Sequence, residues 1–176
     1  MTLGQAYGAP GEGGASGSLE FAEVKLSSGG DDITLTTSNA TYPWTSKTQE
    51  SLVNLITLES NDEITINIGG TYDAHWSLLF ASSGSPTVPF WVVSFLEIDV
   101  GGVGSWAYVV GSLTGNALSD DPGGGQTKIS LAGSLIVELA AADKIRLRVR
   151  RGSGAAATVK TDGGNGSSLV FTRLSN

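Results

Sequence analysis

Cysteine is absent, histidine and methionine occur once each, and charged residues make up only 15% of the 176-residue chain. Without cysteine there is no disulfide framework and no thiolate metal site. Low charge together with 40% hydrophobic residues excludes a charged disordered tail, which needs the opposite balance. No apolar run reaches the ~18 residues of a membrane-spanning helix. The N-terminus lacks a basic stretch followed by an apolar one, so no secretory leader is expected. These features predict synthesis in a cytoplasm and no membrane partner. Basic residues are scarce as well: ten Lys and Arg stand against 17 Asp and Glu, for a net charge of -7. Affinity for phosphate backbones comes mainly from Lys and Arg, so nucleic acid is not an expected partner.

The charge is unevenly placed. Residues 1–100 hold 12 acids and only Lys25 and Lys47, whereas residues 101–176 hold five acids and eight bases. Four of those bases, Arg146, Arg148, Arg150 and Arg151, sit in one segment. A strand turns successive side chains to opposite faces, so Ile145, Leu147 and Val149 point one way and Arg146, Arg148 and Arg150 the other. This arginine row can pair with the acidic first half or with an external anionic surface such as a capsid shell or a glycan. The excess of acid elsewhere in the chain favours internal pairing.

Glycine is plentiful, 25 of 176 residues. One group lies in an N-terminal arm, residues 1–20, which has no apolar period. Its Gly8, Gly11, Gly14 and Gly17, with Pro10, keep a three-residue spacing. That spacing suits either a plain tether or a short collagen-like register, and it makes these residues candidates for attachment to a larger assembly. Most other glycines stand at turns in residues 21–176, where the dominant period is two. Strands are expected near Phe21–Leu26, Ile33–Leu35, Ser51–Glu59, Glu63–Ile68, Thr71–Ala81, Phe90–Val100, Ser105–Leu113, Lys128–Leu139, Lys144–Arg151, Ala155–Lys160 and Ser167–Leu174. The predicted architecture is all-β: a single jelly-roll sandwich of about ten antiparallel strands behind a Gly-rich arm.

Catalytic residue types are sparse. His75 is the only histidine and has no signature partner, although Asp73 lies on its own side of the strand. There is no Gly-x-Ser-x-Gly elbow and no phosphate-binding loop. Paired carboxylates at Asp120-Asp121 are weak calcium candidates, since they lack the spaced pattern of a dedicated site. No cofactor, no metal and no enzymatic activity are expected. Aromatics, by contrast, are concentrated. Tyr72, Trp76, Phe90, Trp91, Trp106 and Tyr108 crowd into three successive strands, and Phe171 stands in the last one. Segment 90–96 (FWVVSFL) is apolar on both faces, as in a strand covered on both sides. These seven residues are candidates for a subunit interface, with the core of a single sandwich as the alternative.

Three stretches carry a resemblance. Gly70-Thr71-Tyr72 looks like the Gly-x-Tyr opening of a central strand in the tumour necrosis factor and complement globular-head superfamily. Gly133–Leu139 followed by Ala142-Asp143-Lys144-Ile145 resembles that superfamily's strand–small residue–Asp–strand hairpin, with Ala142 where the family usually has glycine. Ser167–Leu174 resembles its closing strand, with the aromatic at Phe171. The resemblance covers about residues 63–174. It implies a ten-stranded jelly roll assembling as a homotrimer around a three-fold axis.

Taken together, these readings lead to the expectation of a bacteriophage virion protein on the virion surface. It would be a trimeric capsid decoration (cement) or head-fibre protein, with the major capsid protein or a fibre shaft as partner. The alternative is a receptor-binding knob of a tail fibre recognising a host glycan or protein.

Overall fold

In the longest strand, Gly70–Ser83, Tyr72, Ala74, Trp76, Leu78 and Phe80 are buried while the residues between them are not. This alternation defines the inner face of one sheet of a two-sheet sandwich. The computed structural model describes residues 20–26, 33–50, 54–83, 90–118, 128–152, 158–162 and 166–175, with backbone alone at 48–50, 82, 83, 90, 118, 158 and 175. The expected arm therefore lies outside the described residues, except that Glu20 already belongs to the first strand.

The first sheet contains β1 (Glu20–Leu26), β3 (Ser46–Glu50), β6 (Gly70–Ser83), β10 (Lys128–Leu139), β12 (Thr158–Thr161) and β13 (Ser167–Ser175). Its order is β10-β6-β13-β1-β3, with β12 beside the far end of β6. The second contains β2 (Ala40–Thr41), β4 (Ile56–Leu58), β5 (Ile64–Ile66), β7 (Phe90–Asp99), β8 (Trp106–Tyr108), β9 (Thr114–Leu118) and β11 (Lys144–Arg151). Its order is β4-β5-β11-β7-β8, with β2 on β11 and β9 on β7. Every pairing is antiparallel. The all-β jelly-roll sandwich expected from the period-two pattern is the fold observed. Thirteen strand segments are described rather than about ten, the surplus being pieces of two or three residues.

Between the sheets, the inner row of β6 meets Ile145, Leu147 and Val149 of β11 and Val92 and Leu96 of β7, all buried. Tyr72 packs edge-on against Phe171 with ring centroids 6.3 Å apart, and Tyr42 against Phe80 at 6.2 Å. Trp76 spans the sandwich. Its Nε1 donates to Ser94 Oγ at 3.0 Å, and Ser94 Oγ lies 2.9 Å from Thr114 Oγ1, so the buried polar atoms satisfy one another.

Two connections position the outer surfaces. Asp143 closes the turn between β10 and β11, accepting from Ala140 N–H and Gly101 N–H at 2.8 Å each. Asp99 holds the following loop through Gly104 N–H and Ser105 N–H at 2.8 and 2.9 Å. These buried carboxylates replace water with backbone donors. The segment 105–113 is not one strand as expected. Ser112 Oγ accepts the Leu96 N–H at 3.0 Å, a bond the ladder would otherwise make, and Gly111 turns the chain at φ +87°. The ladder resumes only at Thr114, as β9. Near Ile33–Leu35 only an isolated bridge, Thr34 to Lys160, forms, and of Ser51–Glu59 only Ile56–Leu58 is a strand among the described residues.

Candidate functional site

Because β7 and β11 pair residue for residue, their outward side chains stand in two matched rows. Gly152 N–H bonds Trp91 O, and then Val93 faces Arg150, Phe95 faces Arg148, Glu97 faces Arg146 and Asp99 faces Lys144. On the other flank of β7, Ala117 and Gly115 of β9 stand beside Trp91 and Val93, and Tyr108 and Trp106 of β8 beside Glu97 and Asp99. The outer face of this sheet is therefore an aromatic and acidic row bordered by the arginine row.

At one end the row is self-contained. Glu97 Oε2 lies 2.6 Å from Arg146 Nη2 and 3.5 Å from Arg148 Nε, and Arg146 lies over the Trp106 ring at 3.9 Å from its centroid. Arg148 also donates to Thr41 Oγ1 at 2.7 Å and to Asn39 O at 3.0 Å. Burial and the neighbouring Arg146 lower the Arg148 pKa, and Glu97 opposes them. Internal pairing thus holds for Arg146 and Arg148, with Glu97 as the shared acid. Arg150 is exposed and makes no ion pair among the described residues.

At the other end the row is open. Trp91 is 58% exposed, and the pyrrole edge of its ring rests on Gly152, where a β-carbon would lie 2.9 Å from Trp91 Cδ1. A hollow of about 410 Å³ on one side of the indole is lined by Thr37, Val93, Arg150, Arg151 and Gly152. A second, of about 470 Å³, is lined by Val93, Leu113, Thr114, Gly115, Asn116 and Ala117.

A second exposed apolar feature runs along the edge where β9 and β10 bring the two sheets together. Asn116 Nδ2 reaches Ser130 O at 2.9 Å there, and Gly111 lies against Leu135. Val110 and Leu113 in the β8–β9 loop, with Tyr108 before them, are all exposed; Ile136 of β10 is exposed as well, but on the outer face of the other sheet, opposite Asp73. That outer face of β10-β6-β13 mixes serine, threonine and alanine with Asp73, Leu79, Glu138 and Val170. His75 lies there between Ser134 and Val170, exposed.

The seven aromatic interface candidates separate accordingly. Tyr72, Trp76 and Phe171 are fully buried inside one chain, so they fill its core and do not face a neighbour; this corrects the expectation. The reason is strand parity, since each stands on the inward-facing set of its strand. Trp91 and Tyr108 are exposed and Trp106 is half-covered by Arg146. The Phe90 side chain, the calcium candidates Asp120 and Asp121, and the arm residues Gly8, Pro10, Gly11, Gly14 and Gly17 lie outside what is described. Among the described residues no group of three or more His, Asp or Glu is placed to hold a metal ion. Sequence reasoning did not single out Glu97, Gly152 or Thr37. Glu97 was within reach, because it shares the parity of Trp91 and Phe95.

The sequence matches no family model and no curated protein. Solved structures do match. The Eiger TNF of S. frugiperda superposes with a TM-score of 0.61 at 13% identity, covering 90% of this chain and 94% of that one. Murine APRIL, in structures at pH 5.0 and pH 8.5, superposes with a TM-score of 0.61 at 14% identity, covering 89% of this chain and all of that one. The chain has the TNF-like jelly-roll fold.

Proposed function

We propose that the chain is a homotrimeric, non-catalytic virion protein, a capsid decoration or head-fibre protein on a bacteriophage surface. Its partner in this reading is the major capsid protein or a fibre shaft. The observation that carries the assembly reading is the exposed apolar surface of the β8–β9 loop and of Ile136 on β10. Val110 is 83% exposed, Ile136 65% and Leu113 57%, a concentration that a lone acidic chain leaves against water. The virion part rests on the cysteine-free composition, which suits assembly in a cytoplasm, and on the Gly-rich residues 1–19 as a tether.

Light scattering on the intact chain tests the trimer: three times the 18.0 kDa chain mass is expected, and a monomer at micromolar concentration overturns it. Deleting residues 1–19 should leave the trimer intact and abolish binding to undecorated capsids. If the intact protein binds host cells and not capsids, the tail-fibre knob replaces the decoration reading. The open Trp91 end of the β7–β11 face is the observation that favours that second reading.

A further inference from the structure

We propose that the Trp91 platform is a binding site for a carboxylate-bearing saccharide, with a uronic or sialic acid ring lying on the indole and its carboxylate held by Arg150. The inference does not rest on the trimer or on the virion setting.

Three properties of the site point to that chemistry. The first is the shape. A sugar ring presents a flat patch of C–H bonds, and it needs a rigid apolar plate that no neighbour covers. Gly152 and Ala117, the described residues that pair with Trp91 on either side, have no side chain beyond a methyl group, so neither covers the indole. The pyrrole edge of Trp91 packs against Gly152, where a side chain would meet the ring. The second is the size. The two hollows, of about 410 and 470 Å³, fall in the ~300–1,000 Å³ range of small-molecule sites and flank the plate on both sides. The third is the charge. In a chain of net charge -7, Arg150 borders the first hollow with Arg151, and the acid nearest the row, Glu97, is already held by Arg146 and Arg148. A guanidinium offers two parallel donors that match a carboxylate. Thr37 adds a hydroxyl on the same rim. A neutral sugar would leave the cation unanswered. A purely apolar ligand would leave Thr37 and Arg150 without partners.

The test follows the four tryptophan indole N–H signals by NMR during titration of the intact protein. The probes are methyl glucuronide, N-acetylneuraminic acid and the neutral methyl glucoside. One indole signal, the one missing from Trp91→Phe, should shift saturably with at least one acidic sugar, with a Kd of about 1 mM. Methyl glucoside should bind roughly tenfold more weakly or not at all. Trp91→Ala should abolish binding, and Arg150→Ala should remove the preference for acid over neutral sugar. Light scattering should give both variants the parent mass, which separates loss of the site from loss of assembly. The proposal is overturned if neither acid produces a saturable shift, if binding persists undiminished in Trp91→Ala, or if acid and neutral sugars bind alike. It is also overturned if the Trp91 indole proves shielded from the quencher acrylamide in solution, because a neighbouring subunit then occupies the platform.

Discussion

Gly133 lies directly opposite Trp76 across the β10–β6 ladder, and the indole occupies the space that a side chain at Gly133 would need. A β-carbon there would run into the six-membered ring of Trp76 and would stand 2.7 Å from Thr114 Cγ2. Both obstacles are held, the indole by Ser94 and Thr114 by the same serine. Gly133→Ala should therefore cost about 3 kcal/mol, at the upper end for overpacking a well-filled core. Urea denaturation checks this, and an unchanged midpoint would show that the indole can move aside.

Ala142 sits at φ +73°, a left-handed conformation that costs a residue with a β-carbon about 1 kcal/mol or more. Its N–H is bonded to Ile66 O, so the turn cannot relax without breaking a contact. Ala142→Gly should raise the stability by ~1 kcal/mol and the melting temperature by about 3 °C. Calorimetry at one protein concentration measures the shift.

Glu97 answers two guanidinium groups at once. Glu97→Gln keeps the shape and removes the charge, leaving Arg146 and Arg148 to repel each other. A loss of about 2 kcal/mol is expected, shrinking as salt screens the repulsion. Denaturation at low and high salt reads both effects.

The Tyr72 hydroxyl donates to Ile68 O, and burial raises its pKa, with Arg173 opposing and Glu20 reinforcing the shift. The folded chain thus keeps a phenolic proton that the unfolded chain releases near pH 10. Stability from this group is intact below pH 10 and declines as the pH climbs from there through the raised folded value. Tyr72→Phe should lower stability at pH 7 by about 1 kcal/mol and flatten the alkaline decline. Denaturation between about pH 9 and pH 11, one unit on either side of the free phenol's value, provides the comparison.

Val110 and Leu113 are exposed in the single chain, so Val110→Asp and Leu113→Asp should leave its fold and far-ultraviolet dichroism unchanged. If they form the subunit contact, each substitution buries a charge there and should shift the mass toward that of one chain. An unaltered mass for both would place the contact elsewhere.

The long strands were legible because alternation alone identifies them: β10 and β11 occupy the same residues that their apolar rows predict. What alternation cannot supply is which face is inside. Trp76 and Trp91 stand in equally aromatic strands, yet one is buried and the other open. The difference lies in their partners, Gly133 and Ser94 for the first and Gly152 and Ala117 for the second. The strands that supply these partners lie elsewhere in the chain, and only the pairing brings them together. The break at Val109–Leu113 escaped for a similar reason, since the Ser112 hydroxyl competes with the ladder and a serine carries no sign of that in sequence. The arginine row was legible as a row, but its division into paired and open ends required the position of Glu97.

The pairing of β1 with β13 has a consequence for how the chain reaches its native state. Val24 finds its neighbour at Leu169, and β6, the centre of that sheet, has β10 on one side and β12 and β13 on the other. Nearly every ladder of the sheet joins segments far apart in the chain, so each demands the closure of a large loop before it returns any stabilisation. During synthesis the first strand can pair with β3 on one edge, but its other edge must wait, with Ala22, Val24 and Leu26 uncovered, until residues 167–175 have been made. Completion of this sheet thereby follows the synthesis of residues 167–175, and the waiting edge of β1 is where a chain interrupted before that point would begin to aggregate.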